Sequence, residues 1–434
     1  MKQIILILMV WQGLLMAEMV KEITIKDAQV PVVFEEGNFI PIVSLQLVFT
    51  HAGHLSEHKE GLADISAKLL NEGTQKEGSV GFAQKLDDHA VELSAHVGRE
   101  TFVFELSALK SEFPYAVERL KELLSDPNYT KEALAQVKRQ KIGWLTQKKS
   151  DFDYVASLKL RETLFKETAL GKPYEGTIES IEAMKLEDIQ HFIASHLGYN
   201  NAIVVIGGAL SYEEASNYVK DILPLLAKVE RRASEYFSAS DKKETVLVPE
   251  ETQQAYIYFG APFNYSYQEK DQYKAKIAEY ILGGGGFGSR LMEEIRVKRG
   301  LTYGAYCMLR RTKYASYLSG YLQTKLSTQE EAKALVQEVV ENFVTKGITA
   351  KELASAKQFL VGSEPLRVET LSQRLHRAFN EYYYGRPLGF SKEQLKKIEM
   401  VTLEEMNQFI TSHKELSALT FAIVTQKKHK NRRE

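Results

Sequence analysis

The chain has 434 residues, enough for two or three domains with ordinary cores. Its 56 Lys and Arg stand against 57 Asp and Glu, so no basic excess points to nucleic acid. One cysteine, Cys307, excludes an internal disulfide framework. Residues 1–17 begin with Met1 and Lys2, continue as an apolar run from Ile4 to Met16, and end on Ala17. That pattern predicts an export signal cleaved near Ala17–Glu18 and a periplasmic mature chain. The run is short for a membrane span, and no later stretch reaches about 18 apolar residues, so stable membrane insertion is not expected. Retention of residues 1–17 as an anchor is the competing reading.

Leu45 to Phe49 reads as a strand running into a loop with Gly53, His54, Glu57 and His58. A helix then begins near Leu62 and runs to Asn71, framed by Gly61-Leu62-Ala63 and Gly73-Thr74. Thr101 to Leu106 alternates as a strand, and Phe113 to Leu124 has helical apolar spacing. Leu186 to His196 reads as a helix followed by the apolar strand Ala202 to Ile206. The polar stretch Glu230 to Thr245 reads as a linker. Beyond it come a strand from Tyr256 to Phe259, a helix from Tyr273 to Leu282, a glycine run and a helix opening at Ser289. Ser289 suits the N-cap of that helix, Glu293 and Glu294 its early turns, Lys298 and Arg299 its last turn, and Gly300 the position after it. Leu301 to Met308 and Tyr317 to Gln323 read as strands, Thr328 to Lys346 and Leu403 to His413 as helices, and Thr420 to Val424 as a last strand.

The chain contains itself twice. LEDIQHFIASH at 186–196 recurs as LEEMNQFITSH at 403–413, an offset of 217 with six identities in eleven positions. KEALAQVKRQK at 131–141 pairs more loosely with KELASAKQFL at 351–360, and the strand at Leu45 with that at Tyr256, in the same order. A tandem duplication of a domain-sized unit follows, with domains at 18–229 and 246–434 joined by 230–245. Gly283, Gly285 and Gly288 satisfy G-x-G-x-x-G, but a helix precedes them where a dinucleotide fingerprint needs a strand, so a helix-to-helix turn is expected. Gly284, Gly285 and Gly286 are candidates to line a peptide-binding cavity. Tyr382, Tyr383 and Tyr384 are expected to pack at a core or interface.

The block GGGGFGSRLMEEIRVKRGLTYGAY at 283–306 resembles the second half of the pitrilysin, insulysin and mitochondrial processing peptidase family. In that family an arginine and a tyrosine at the spacing of Arg296 and Tyr303 hold the scissile carbonyl opposite a zinc ion. The resemblance covers nearly all the mature chain, including GKPYEGTIESIEAM at 171–184, and implies an α+β fold of two tandem homologous domains, each a mainly antiparallel sheet with helices on one face. Taken singly, Arg296 reads more readily as a solvated helix residue and Tyr303 as one packed in a sheet; the whole block reverses that preference.

His54-x-x-Glu57-His58 matches the inverted zinc signature, yet two His ligands four residues apart need a helix, and this segment reads as a loop. The resemblance places the zinc ligands one step later, inside the Gly61–Thr74 frame. There the first His position is Asp64, the catalytic Glu position Ala67 and the second His position Lys68. The family's third ligand is a Glu roughly 77 residues beyond the second His. Ala133 to Ser150 contains no acid. No metal is therefore expected on this chain. The resemblance implies a non-metal subunit of a heterodimeric zinc peptidase whose homologous partner carries the zinc, with Arg296 and Tyr303 contributed to cleavage of peptide substrates. A catalytically inactive peptide-binding or structural homologue is a second reading. An active zinc peptidase using His54, Glu57 and His58 is a third.

Overall fold

The computed structural model describes residues 19–230 and 233–427; the expected export signal lies outside them. Two compact units result. One comprises the chain through Leu145 together with Pro173–Ala233 and Arg367–Gly389; the other takes Thr146–Lys172, Ser234–Leu366 and the chain from Phe390.

The first unit is built on a six-stranded sheet. Its strands are β1 (Val20–Ile25), β2 (Ala28–Glu36), β3 (Ile42–Thr50), β4 (Glu92–Val97), β5 (Thr101–Leu109) and β6 (Ala202–Gly208), in the spatial order β1-β2-β6-β3-β5-β4. Only the β2–β6 pair is parallel. Along β3, Val43, Leu45, Leu47 and Phe49 point to the main core, while Val48 points to the opposite face. The helices Leu62–Leu70, Phe113–Ser125, Lys131–Lys148, Leu186–His196 and Tyr212–Ile222 close that core with buried residues such as Ile65, Leu120, Val137, Phe192 and Val219.

The second unit repeats the plan. Its strands β7 (Thr245–Glu250), β8 (Gln254–Pro262), β9 (Ala305–Arg311), β10 (Ser316–Lys325) and β11 (Thr420–Gln426) lie in the order β7-β11-β8-β10-β9. Strand for strand this is β2-β6-β3-β5-β4, with the β7–β11 pair parallel and the rest antiparallel. The duplication legible in the sequence is thus a duplication of topology, and β1 is the addition peculiar to the first copy.

Helices do not stop at one face. Every residue of β6 is buried, and the first five of β11 are too. An unbroken apolar run of this kind belongs to a strand covered on both sides. In the first unit the second cover is the helix Leu371–Tyr383, whose Leu375 and Ala378 pack on Val33, Val48, Val103, Ile203 and Val205. In the second unit it is Phe152–Leu164, which packs on β8 and β11 and sets Phe152 against Tyr256 at 5.6 Å. Each of these helices comes from the other half of the sequence, so the units interleave where the sequence suggests a clean cut. Tyr382 and Tyr383 pack beside the Leu375 cluster, and the Tyr383 hydroxyl donates to Glu100 at 2.9 Å.

The linker is ordered where it is described. Phe237 is buried, its N–H donates to Tyr314 O at 2.7 Å, and Ser240 N–H donates to Leu164 O at 2.8 Å. Of the two aromatics in that stretch, Tyr236 is exposed and Phe237 is the one whose burial pins it to the second unit. Cys307 is buried in β9, and burial pushes its thiol far above the ordinary range, which leaves it inert as a nucleophile.

Candidate functional site

The loop after β3 is shaped around Glu57. Its Oε1 accepts from Gly61 N–H at 2.9 Å and its Oε2 from Ala63 N–H at 2.7 Å, which places a carboxylate at the start of the Leu62–Leu70 helix. The amides there have no intrahelical acceptor, and the helix dipole favours an anion beside them. His54 lies in the short turn His54–Ser56 with its ring 5.2 Å from Tyr174, and His58 is exposed. The His54, Glu57 and His58 zinc site is corrected by this geometry: the three residues share no helical face, and the carboxylate already serves two backbone donors. Replacing Glu57 by Ala is expected to cost about 2 kcal/mol, as loss of a strong N-terminal cap does. Urea unfolding checks this; an unchanged midpoint in Glu57→Ala would refute the capping role, and His58→Ala serves as the silent control.

The helix itself carries Asp64, Ala67 and Lys68. Ala67 is buried, Lys68 is half in solvent, and Lys68 Nζ lies 3.9 Å from Asp64 Oδ1. A fourth residue, not anticipated from the sequence, completes the cluster. Lys141, on the Lys131–Lys148 helix, is buried and brings its Nζ to 2.8 Å from Asp64 Oδ2. The contact is ionic and poorly directed, since Oδ2 has no well-aligned hydrogen-bond donor. The sequence did hold a signal for it. Leu134, Val137 and Leu145 are buried along one stripe of that helix, and Lys141 falls on the same stripe where a fourth apolar residue belongs.

Beside this cluster runs β4, an edge strand. Asn71 Oδ1 accepts from Ala95 N–H at 2.7 Å, and Asn71 Nδ2 donates to Ala95 O at 2.9 Å. Both free backbone groups of Ala95 are therefore paired by one side-chain amide, which does locally what a neighbouring strand would do.

In the second unit the glycine run is a turn between helices. Gln272–Glu279 passes into a wide π turn over Tyr280–Gly284, and a second π segment spans Met292–Val297. Wide turns of this kind concentrate at functional sites. A Cβ on Gly285 would lie 2.7 Å from Tyr280 O, whereas one on Gly286, at φ +57, would meet nothing. Ser289 does not cap forward as expected; its hydroxyl donates back to Gly286 O at 2.8 Å. Arg290 anchors the helix start instead, donating to both carboxylate oxygens of Glu352 and to Gly347 O at 2.7 Å. Burial pushes the Glu352 carboxyl up, and the Arg290 and Thr349 hydrogen bonds more than offset it, so its pKa lies below the usual range.

Arg296 sits in the second π segment with its guanidinium 4.5 Å from the ring centre of Phe287. Gly300, at φ +63, ends the helix as expected: Gly300 N–H bonds to Arg296 O at 2.9 Å and Leu301 N–H to Ile295 O at 3.0 Å. The strand starts four residues later than expected, at Ala305, because Thr302 Oγ1 ties the segment into a turn with Gly304. Tyr303 is carried on that turn and is 91% exposed. It does not pack in the sheet.

Comparison with known proteins adds the lineage. The model of the insulinase family, peptidase family M16, matches residues 32–178, and that of the peptidase M16 inactive domain matches 183–360. A relative from Helicobacter pylori, called non-peptidase homolog YmxG, is 43% identical over 98% of each chain. The chain belongs to the M16 family. A Bacillus subtilis relative described as an uncharacterized zinc protease is 20% identical over 90% of this chain and 94% of its own. Among solved structures, a peptidase M16 inactive domain from Pseudomonas fluorescens superposes with a TM-score of 0.86 at 22% identity, covering 94% of this chain and 98% of its own. A Helicobacter pylori protease gives 0.79 at 15% identity, over 94% and 99%.

Within the M16 frame the metal centre would fall at 64, 67 and 68. The residues here do not fit a zinc ion. One carboxylate faces two ammonium groups, with neither imidazole nor thiolate among them, and an ammonium has no lone pair to donate. Among the described residues no group of three or more His, Cys, Asp or Glu is placed to hold a metal. The chain keeps the M16 frame without the zinc-ligand residue types at these positions.

Proposed function

We propose that the chain is the non-metal half of a two-chain M16 peptidase, supplying hydrogen-bond donors to a peptide cleaved at the zinc of a homologous partner. The exposure of Tyr303 carries this reading. A tyrosine on a tied turn, with its ring and hydroxyl out of the core, contributes little to the stability of its own unit and is free to meet a ligand. In this proposal Tyr303 donates to the oxyanion, Arg296 to a substrate carbonyl, and the glycine turn at Gly284–Gly286, open at Gly286, borders the peptide. Asp64, Ala67 and Lys68 explain why the zinc must come from elsewhere.

The test is reconstitution with a homologue from the same organism that retains the intact inverted zinc motif. Neither protein alone is expected to cleave a denatured peptide set, and the mixture is expected to cleave it and to elute as a 1:1 complex. A mixture without complex or cleavage refutes the heterodimer. A second reading, a purely structural homologue, is favoured by the stacking of Arg296 on Phe287, which gives the guanidinium a role within its own unit. Complex formation with no gain in cleavage would support that reading.

Export belongs to the same proposal. The Lys2, Ile4–Met16 and Ala17 pattern is expected to yield a periplasmic protein that starts near Glu18. N-terminal sequencing of the cell fractions checks it; recovery only from membranes with residues 1–17 intact would establish an anchor instead.

A further inference from the structure

We propose that Lys141 is a resident cation: its ammonium takes the place of the metal in this M16 unit, balances Asp64, and excludes zinc by charge as well as by the loss of ligands. The inference rests on the non-metal reading above and deepens it.

The Lys141 side chain is only 4% exposed, whereas Lys68 on the facing helix is 46% exposed. Lysine is almost never buried to that degree without a partner, because an unpaired ammonium in the interior is strongly destabilising. The partner is Asp64, at 2.8 Å, and the Trp144 ring lies 4.4 Å from the same nitrogen as a second source of negative potential. Lys68 is solvated and screened, so the charge balance inside the cluster is set by Asp64 and Lys141. Asp64 stands where the family's first zinc ligand belongs. Whatever enters there shares the carboxylate with the ammonium. A divalent ion bound at position 64 would lie within about 4 Å of a fixed positive charge, and repulsion at that distance amounts to a hundredfold or more in affinity, on the order of magnitude given by a partly screened interior.

This accounts for a base, and not merely a neutral residue, at Lys141 opposite Asp64. A chain that only lost its imidazoles would keep an electronegative pocket. This one carries its own counter-ion.

The test restores the motif in the full chain with Asp64→His, Ala67→Glu and Lys68→His, and combines it with three residues at 141. With Lys141 kept, zinc content after dialysis is expected to stay well below one per chain. With Lys141→Gln, which removes the charge and adds no carboxylate, zinc affinity is expected to rise about tenfold or more. With Lys141→Glu, which also offers a ligand, the content is expected to approach one per chain at an affinity at least about a hundredfold above the lysine version. Equal zinc affinity across the three, or no zinc in any, overturns the proposal. A second measurement stands apart from metal: thermal melts of Lys141→Met, Asp64→Asn and their combination in the otherwise natural chain. Each single change is expected to lower the Tm by several degrees, and the double to recover most of that loss. Strictly additive losses would mean that the two groups do not neutralise each other and would also overturn it. Stoichiometric zinc on the natural chain would sink the non-metal reading itself, whereas zinc on the motif-restored chain despite Lys141 would sink only this inference.

Discussion

Tyr303→Phe in the reconstituted pair is expected to lower peptide turnover on the order of 100-fold while leaving assembly intact. The change removes one hydroxyl from a ring that is 91% exposed, so the unit has no packing to lose. A donor aimed at developing negative charge in a water-excluded chamber acts mainly in the transition state, so kcat is expected to fall more than KM changes. Arg296→Ala is expected to weaken substrate binding as well as turnover, because a ground-state carbonyl also uses its donors. The guanidinium has to leave Phe287 for that role, so Phe287→Leu is expected to preserve or increase activity. Peptidase assays with gel filtration of the complex check all three. Full activity from a Tyr303→Phe, Arg296→Ala double variant that still pairs would end the catalytic assignment.

Gly208→Ala is expected to destabilise the first unit by about 3 kcal/mol or more, a large share of a domain's stability. Gly208 sits at φ +128, where side chains are strained, at the last rung between β6 and β3 opposite Val43. A Cβ there would lie 2.1 Å from Ile42 O and 2.8 Å from Val43 Cα. Both atoms are backbone at the end of the β3–β6 ladder, and Ile42 O also accepts from Ala209 N–H at 3.0 Å, so neither can move without disturbing that pairing. Gly362→Ala is the control, since a Cβ at that position meets nothing within 4 Å. Urea unfolding of the two variants tests the contrast. Near-equal midpoints would show that the β3–β6 end is softer than its geometry implies.

Much of the architecture was legible in the order of residues. The strand at Leu45, the helix from Leu62, the alternation from Thr101 and the repeated segment at 186 and 403 all lie where local pattern placed them. These features depend on hydrophobic period and cap chemistry within a dozen residues, which is information carried along the chain. The absence of a zinc-ligand set was equally legible, because it needs only residue identities at fixed spacing. The start of β9 was not, since Thr302 Oγ1 competes with the ladder for the backbone of the next two residues.

What the tertiary structure alone decided is who meets whom. An amphipathic helix announces that it has an apolar face, not which sheet receives it. Phe152–Leu164 and Leu371–Tyr383 each cover a sheet built from the other half of the sequence, and only the unbroken apolar runs of β6 and β11 hinted that a second cover was needed. Lys141 is 77 residues from Asp64 in sequence, and its meaning as a counter-ion exists only once two helices bring ammonium and carboxylate together. The same holds for Asn71, which reads as the end of a helix and acts as the missing neighbour of an edge strand. Pattern fixes which groups want burial or a partner; packing chooses the partner, because that choice depends on contacts between residues far apart in the chain.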